Sequence, residues 1–301
     1  MVESPELSTS LGAKVFLKLE NLQHTGSFKI RGATSKILSL PDESRARGVI
    51  TVSSGNHGRA VSYVANKLGI NAVVCLSRTV PNNKKEAIQD MGAEVVVSGE
   101  TYDEADLNAT ILQQERDLTM VHPFDDPFII AGQGTIGVEL LEDLPEIDTV
   151  IVPLSGGGLL SGIALALKSA DTAIHVVGVT MERGPAMVES LHAGKVVGVV
   201  EEPTLADALM GGLGSGNEYT FKMIQKYVDE TVLVSEEEIA AAMVFAFRKH
   251  RLVVEGGGAV GIAALLSEKV ERFGQNIVVV ISGGNVDIPA LMKLTQDQNA
   301  G

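Results

Sequence analysis

The sequence predicts an α/β protein of two lobes with parallel, doubly wound sheets. Short runs rich in Val and Ile alternate along the chain with longer segments of helical periodicity. Several of these runs are apolar throughout, which is typical of strands that helices cover on both faces. Clusters of small residues follow three of the strands, where open sheets of this class bind their ligands. Together these patterns predict the doubly wound class.

The predicted strands and helices alternate from end to end. Strands are expected at Val15–Leu19, Val49–Val52, Ala72–Leu76, Glu94–Val97, Thr149–Pro153, His175–Val179, Glu230–Val234 and Ile277–Ile281. Helices are expected at residues 27–39, 57–68, 82–91, 101–116, 128–141, 158–169, 185–193, 218–227, 236–250 and 258–271. Ser235 supports the start of one helix, since it precedes three Glu residues as an N-cap before an acidic first turn. Three strand–helix units predict a small domain at 48–125, and residues 1–47 with 126–301 form the larger domain.

Composition excludes several classes of partner. The chain has 301 residues, a formal net charge of −14 and 45% hydrophobic residues. Nucleic acid and anionic membranes are not expected as partners, because both require clustered Lys and Arg. Cys75 is the only cysteine, so no intrachain disulfide can form. The sequence shows no signal peptide and no transmembrane span, and a cytoplasmic location is expected.

Lys29 is the most informative single residue. It lies in the run Gly26–Gly32, directly after Phe28, at the start of a helical stripe formed by Ile30, Ala33, Ile37 and Leu38. An amine fixed beside an aromatic ring at a helix start can form a Schiff base with a carbonyl group. Lys29 is therefore a candidate catalytic residue, provided that the chain also supplies a cofactor site.

Three small-residue loops could supply that site. They are Ser53–Gly58, Ser155–Gly162 and Ser282–Asn285, and each follows a predicted strand. Loops of this kind at the start of a helix present free backbone N–H groups to an anion. A tight turn is the simpler interpretation of any one loop, but three of them at strand ends favour a ligand site.

A fourth glycine cluster offers a competing interpretation. Gly256–Gly261 fits the GxGxxG fingerprint of dinucleotide binding, which would make the protein a nicotinamide-dependent oxidoreductase. That fingerprint needs a strand immediately before it, and only Leu252, Val253 and Val254 are available here. The histidines show no metal-ligand spacing, and structural roles are expected for His122 and for the side chain of His57.

With these loops placed, the chain resembles the serine/threonine dehydratases and serine racemases. These are pyridoxal-phosphate enzymes of fold type II, which have the fold of the tryptophan synthase β subunit. The resemblance extends from about Val15 to Pro289. The motifs that carry it are Leu17–Gln23, Gly26–Gly32, Ser53–Gly58, Ala131–Thr135 and Ser282–Asp287.

The resemblance implies a pyridoxal 5′-phosphate cofactor held in the larger domain. Lys29 would bind it covalently, Phe28 would pack on its ring, Asn56 would bond its phenolic oxygen and Ser282 would face its pyridine nitrogen. The phosphate contacts would come from Ser155, Gly156, Gly157, Gly158 and Leu159. The substrate carboxylate would be bound by Ser54, Gly55, Asn56 and His57.

The implied reaction is α,β-elimination of water from a β-hydroxy amino acid such as L-threonine or L-serine. It would give a 2-oxo acid and ammonia, with Lys29 as the base. A hydroxyl such as that of Ser282 is too weak an acid to keep the ring nitrogen protonated, which disfavours transamination. A serine racemase remains an alternative, with Ser54 as a second catalytic residue on the opposite face of Cα. A dehydratase of a hydroxylated diaminobutyrate, as in hydroxyectoine breakdown, is another, because residues 205–220 and 253–261 resemble that branch.

Departures from the family set further expectations. The chain begins after the family's Thr-Pro-Leu turn, so a binding protein without activity is also possible. It ends soon after Pro289, so no regulatory domain is expected. Thr180, Gly184 and Ala186 stand where metal-activated relatives have metal ligands, and no divalent site is expected. The resemblance also implies a homodimer that acts on a small amino-acid substrate.

Overall fold

The computed structural model describes residues 1–214 and 216–297 and divides them into two compact units. One unit contains residues 1–28 together with the described residues from 133 onward, and the other contains residues 29–132. The smaller unit is therefore one continuous stretch of chain, and the larger unit is assembled from two stretches.

The larger unit is built on a six-stranded sheet with the strand order β1-β2-β10-β7-β8-β9. Only β1 runs antiparallel to its neighbour; the other pairs are parallel. Parallel neighbours require crossover connections, which the intervening helices supply. The strands are β1 (Val2–Glu3), β2 (Lys14–Leu19), β7 (Thr149–Pro153), β8 (His175–Met181), β9 (Glu230–Val234) and β10 (Asn276–Ile281).

Helices cover both faces of this sheet. Val278 and Ile277, adjacent on β10, belong to different buried clusters because successive side chains point to opposite faces. The helices are α1 (Pro5–Leu11), α7 (Pro127–Asp143), α8 (Gly158–Ala170), α9 (Ala186–Ala193), α10 (Thr220–Tyr227), α11 (Glu236–His250), α12 (Gly256–Leu266) and α13 (Ile288–Asp297). Of these, α7 begins in the smaller unit and ends in the larger one.

The smaller unit has a parallel four-stranded sheet in the order β5-β4-β3-β6. Every residue of β3 and β4 is buried, as expected for central strands between helices. The strands are β3 (Val49–Val52), β4 (Ala72–Leu76), β5 (Glu94–Val97) and β6 (Thr119–Met120). The helices that lie wholly within this unit are α2 (Lys29–Ser39), α3 (Asp42–Arg47), α4 (Asn56–Lys67), α5 (Asn82–Gln89) and α6 (Tyr102–Glu115).

The structure confirms the predicted fold class and all eight predicted strands, whose bounds differ by at most two residues. The unpredicted elements are short or terminal: β1, β6, α1, α3 and α13. Helix α2 begins at Lys29 instead of residue 27, because Ser27 forms a β-bridge with Gly283. The predicted helix 258–271 was misplaced: α12 begins earlier, and it ends before Glu268, which has a φ of 52°. Leu38, expected in the core stripe, is exposed.

The predicted domain bounds are not those of the compact units. Residues 29–47 and 126–132, assigned by sequence to the larger domain, fall in the smaller unit. The assignment of a cofactor-binding domain and a small domain stays a prediction. In the described part of the chain, no helix is both long and apolar enough to cross a membrane.

Candidate active site

The segment before Lys29 is fixed by the end of β10. The backbone N–H of Phe28 donates to the Ser282 carbonyl (3.0 Å), and that of Gly284 donates to the Gly26 carbonyl (2.9 Å). Gly26 has a φ of 74°, and a Cβ there would lie 2.5 Å from Oδ1 of Asn285, so glycine is required on both counts. The Gly26–Phe28 segment and the Ser282–Asn285 loop are thus held together within the larger unit, and they set where α2 begins.

The loop after β7 presents a row of buried backbone N–H groups at the start of α8. Gly157 is the N-cap with a φ of 88°, and a Cβ on it would approach Met187 Cε at 3.0 Å and Thr220 Cβ at 3.1 Å. Within residues 1–214 and 216–297, the backbone N–H groups of Gly156, Gly157, Gly158 and Leu159 donate no hydrogen bond, and all four residues are buried. Unpaired N–H groups at a helix N-terminus attract a negatively charged group. Ser155, at the loop's outer edge, is half-buried.

Ser282 places a neutral hydroxyl at the end of β10. It is buried, and its Oγ lies 3.5 Å from the carbonyl oxygen of Gly257, which is the limit of a hydrogen bond. Phe28, whose backbone it holds, packs half-buried against the core on one face of the large sheet. These two residues are therefore fixed to each other through the main chain.

In the smaller unit, the Ser53–His57 loop joins β3 to α4. The N–H of Gly55 donates to Ser53 Oγ (3.3 Å), and Asn56 is the first residue of α4. The loop folds back so tightly that a Cβ on Gly58 would lie 2.1 Å from the Ser53 carbonyl oxygen. Among the described residues, the N–H groups of Ser54 and His57 have no acceptor. This loop therefore presents unpaired N–H groups at a helix start, an arrangement that can bind an anion.

The side chain of His57 is locked in one tautomer. Its Nε2 lies 2.9 Å from the Val121 carbonyl oxygen, which can only accept, so Nε2 carries the hydrogen. Nδ1 is buried and has no partner among the described residues. Burial, with the charges of Lys29 and His122, lowers the pKa of His57 to about 3. The ring is therefore neutral at physiological pH, and it fixes the loop to the end of β6.

Lys29 points its amine at a carbonyl of the same unit. Its Nζ donates to the Pro123 oxygen at 2.6 Å, and the side chain is half-buried. Burial is the main cause that lowers the pKa of His57 and of His122, and the nearby charge of Lys29 lowers both further. An amine in such surroundings is oriented before any cofactor arrives.

The Gly256–Gly261 cluster serves packing. It opens α12, and no strand precedes it among the described residues; residues 251–255 are irregular. A Cβ on Gly256 would lie 2.1 Å from the Leu205 carbonyl oxygen, and one on Gly258 would lie 2.5 Å from that of Gly283. Gly256 therefore lets the backbone at Leu205 approach closely, and Gly258 does the same for the Ser282 loop. The dinucleotide interpretation lacks its required context.

Two other places in the fold carry charged side chains but have no assigned ligand. Among the described residues, no three His, Cys, Asp or Glu side chains are grouped to hold a metal. Glu182, near the family's metal positions, accepts from the Lys269 ammonium (3.3 Å). A depression of about 600 Å³ lies at the N-terminal edge of the small sheet. Its two arginines, Arg47 and Arg116, are paired with carboxylates and stand at helix C-termini, so we assign it no ligand.

Sequence reasoning missed the acceptors of this site. The carbonyl oxygen of Val121 accepts from His57, and that of Pro123 accepts from Lys29. Every residue has a backbone carbonyl, so residue type cannot reveal which one acts as the acceptor. One signal was available in the sequence, the His122-Pro123 pair after a short strand. Proline fixes the local backbone and lacks an N–H donor, so this pair could have marked a loop of defined shape. The three predicted loops do lie at the C-terminal ends of their strands, as expected.

Comparison with known proteins identifies the family. The model of the family described as "Pyridoxal-phosphate dependent enzyme" matches residues 1–283. An L-threonine ammonia-lyase of Thermotoga maritima is 45% identical over 285 residues, which are 95% of this chain and 70% of that protein. Maize serine racemase superposes with a TM-score of 0.92 at 34% identity, covering 99% of this chain and 92% of that one.

A second solved structure agrees with these matches. The processed form of threonine deaminase isoform 2 from Solanum lycopersicum has a TM-score of 0.91 at 37% identity, covering 97% of this chain and 85% of that one. These findings confirm the resemblance that the sequence motifs indicated. The chain therefore belongs to the family of pyridoxal-phosphate-dependent enzymes, with the fold of its type II members.

Proposed function

We propose that this protein is an L-threonine dehydratase. It removes water across Cα and Cβ of L-threonine, and hydrolysis of the resulting enamine gives 2-oxobutanoate and ammonia. One water leaves and one is consumed, so the net products are the 2-oxo acid and ammonia. The similarity to the L-threonine ammonia-lyase of Thermotoga maritima over 95% of the chain supports this substrate.

The residues present fit pyridoxal phosphate. The cradle of buried, unpaired N–H groups at Gly156–Leu159 suits its phosphate, and the φ of 88° at Gly157 explains why glycine is needed there. Ser282 offers a hydroxyl to the pyridine nitrogen, and Phe28 offers an aromatic face to the ring. Asn56 carries an amide that can donate to the phenolic oxygen.

Each protein group has one task in the proposed reaction. The cofactor supplies an electron sink for the charge that develops at Cα. Lys29 takes the proton from Cα. The loop Ser54–His57 binds the substrate carboxylate through backbone N–H groups at the start of α4. A neutral partner such as Ser282 would not keep the cofactor's ring nitrogen protonated, and this would favour departure of the β-hydroxyl over transamination.

The observation that carries this assignment is the half-buried amine of Lys29, held 2.6 Å from a carbonyl oxygen beside two neutral imidazoles. A lysine side chain at the surface would be mobile. Here the amine is held in one place by its hydrogen bond to the Pro123 carbonyl oxygen.

Serine racemisation is a second candidate, supported by the similarity to maize serine racemase over 99% of the chain. Ser54, half-buried at the end of β3, would supply the second proton-transfer group. Formation of D-serine from L-serine, lost in Ser54→Ala, would establish it. We further propose that the protein is a homodimer, which sedimentation analysis of the purified protein would test. A cytoplasmic location is proposed as well, and cell fractionation would test it.

The test is an assay of L-threonine with pyridoxal phosphate for 2-oxobutanoate and ammonia. Lys29→Ala is expected to lower turnover at least about 10³-fold, since it removes both the attachment point and the base. It is also expected to lose the cofactor that borohydride fixes to the wild-type chain. Lys195→Ala, at an exposed lysine, is the matched control. An active Lys29→Ala variant, or a wild type that releases no 2-oxo acid from L-threonine, would refute the proposal.

A further inference from the structure

The loop between β6 and α7 carries the acceptor of the Lys29 amine. Pro123 lies in this loop, and its carbonyl oxygen is 2.6 Å from Lys29 Nζ. Proline has a fixed φ and restricts the residue before it to extended backbone. The direction of the Pro123 carbonyl therefore depends on how the next residues turn.

His122 closes that turn with its side chain. Its Nδ1 accepts the N–H of Asp125 at 2.7 Å and that of Phe124 at 3.2 Å. An imidazole nitrogen that accepts must carry no hydrogen, so the ring proton is on Nε2. The ring also stands edge-on to Phe124, with centroids 4.7 Å apart. Both contacts shape the backbone on either side of the Pro123 carbonyl.

The far end of the same loop is tied to the helix that begins with Lys29. Asp126 Oδ1 accepts the N–H groups of Phe128 and Ile129 and caps α7. Its Oδ2 accepts from the ammonium of Lys36 on α2, and both side chains are mostly buried. The Lys36–Asp126 ion pair thus joins the loop to α2, two turns beyond Lys29, and the loop cannot shift without breaking it.

The turn requires a neutral His122 ring, and the surroundings of His122 favour the neutral form. Burial lowers the pKa of His122 most, and the Lys29 charge adds to this, whereas Asp125, Asp126 and Asp106 oppose it. A protonated ring would carry a hydrogen on Nδ1 and could accept neither N–H. The neutral ring is therefore part of the structure of the loop.

We propose that His122 is a positioning residue for Lys29: its unprotonated Nδ1 shapes residues 122–126 so that the Pro123 carbonyl aims the amine. This deepens the proposed function, on which it rests only in taking Lys29 as the residue that binds the cofactor. His122 acts through the backbone, so any side chain that accepts the same two N–H groups should replace it.

The test compares two substitutions that differ in this one property. His122→Phe keeps a ring against Phe124 but has no acceptor. His122→Asn keeps an acceptor, because an Asn side-chain oxygen bonds N–H groups two and three residues onward in turns. The same substitutions at His192, which is exposed on α9, are the controls.

The first measurement is the rate at which cofactor-free protein captures pyridoxal phosphate, followed by absorbance without substrate. We expect about a tenfold slower capture for His122→Phe, from loss of hydrogen bonds that orient a charged group, and capture within about threefold of wild type for His122→Asn. With L-threonine, kcat should fall in His122→Phe while KM stays nearly constant, because the base is displaced and the carboxylate site is not.

Other outcomes overturn the inference. Wild-type capture and kcat in His122→Phe would show that the acceptor is not needed. Equal losses in both variants would show that histidine acts in another way. If His122→Phe does not fold, as judged by circular dichroism, a fully active and folded His122→Leu would still contradict the proposal, and a slow but folded His122→Leu would support it. A wild type that captures cofactor but does not turn over L-threonine would refute the proposed function alone.

Discussion

At the scale of single residues, the site depends on groups whose proton positions are fixed by backbone atoms. His57 donates from Nε2 to Val121, and His122 accepts at Nδ1 from Phe124 and Asp125. The sequence predicted His57 as part of a loop and Lys29 as the reactive amine. It could not predict either tautomer, since each is set by a carbonyl or an N–H that every residue type possesses.

These two imidazoles should make the folded protein sensitive to acid. Burial lowers the pKa of His57 to about 3 and also lowers that of His122, whereas the unfolded chain binds protons on both rings below about pH 6.5. Their contribution to stability is thus complete above about pH 6.5, and it is lost as the pH falls from there through the folded-state pKa values. Protonation of the unfolded chain drives the loss.

The measurement is the free energy of unfolding in urea at about pH 7.5 and about pH 5. For wild type, His57 should contribute a loss of up to about 2 kcal/mol between these values. His57→Gln should show a smaller loss, because its side chain does not titrate, and His192→Gln should behave as wild type. Equal pH dependence in wild type and His57→Gln would contradict the prediction.

At the scale of elements, glycine clusters play two different parts. Gly156–Gly158 leave N–H groups open at the start of α8, whereas Gly256–Gly258 bring the start of α12 into contact with neighbouring backbone. The sequence separated them correctly by one criterion, the strand before the loop. It misplaced α12 itself by extending it to residue 271, because Glu268 and Lys269 are good helix formers and residue type does not show the positive φ of Glu268 that follows the helix end.

Gly256→Ala tests the packing role of the second cluster. A Cβ at this position would lie 2.1 Å from the Leu205 carbonyl oxygen, so α12 or the backbone at Leu205 must move. We expect destabilisation by about 2–4 kcal/mol, measured as a lower Tm or urea midpoint. Gly198→Ala, where no atom lies within 4 Å and φ is ordinary, should cost little. Equal stability of the two variants would show that α12 tolerates a side chain at its first turn.

At the scale of the whole molecule, the fold was predictable and the division into units was only partly so. Alternating apolar strands and helices gave the class and eight strands, because burial on both sheet faces leaves a strong compositional pattern. The unit boundaries fall inside the run Phe28-Lys29 and inside α7, where neither composition nor a linker marks a change. At these two boundaries, the sequence contains no signal that assigns the residues on either side to different units.

Cofactor binding should stabilise the folded chain by mass action. At a free pyridoxal phosphate concentration of about 100 times Kd, the expected gain is about 2.7 kcal/mol. Thermal unfolding with and without the cofactor should therefore show a higher Tm for wild type with it. Lys29→Ala should retain only the part of this gain that comes from non-covalent contacts. A Tm that is unchanged by pyridoxal phosphate in wild type would contradict the assigned cofactor site.

The continuity of residues 29–132 has a consequence for synthesis. This stretch contains all four strands of its own sheet, so it can complete that sheet while the ribosome is still adding later residues. The larger unit cannot do so: β2, made early, pairs with β10, which is made last of all the strands. During translation, Val15 and Leu17 therefore lack their β10 partners until Ile277 and Val279 have been made, whereas α2 can already pack within its own unit.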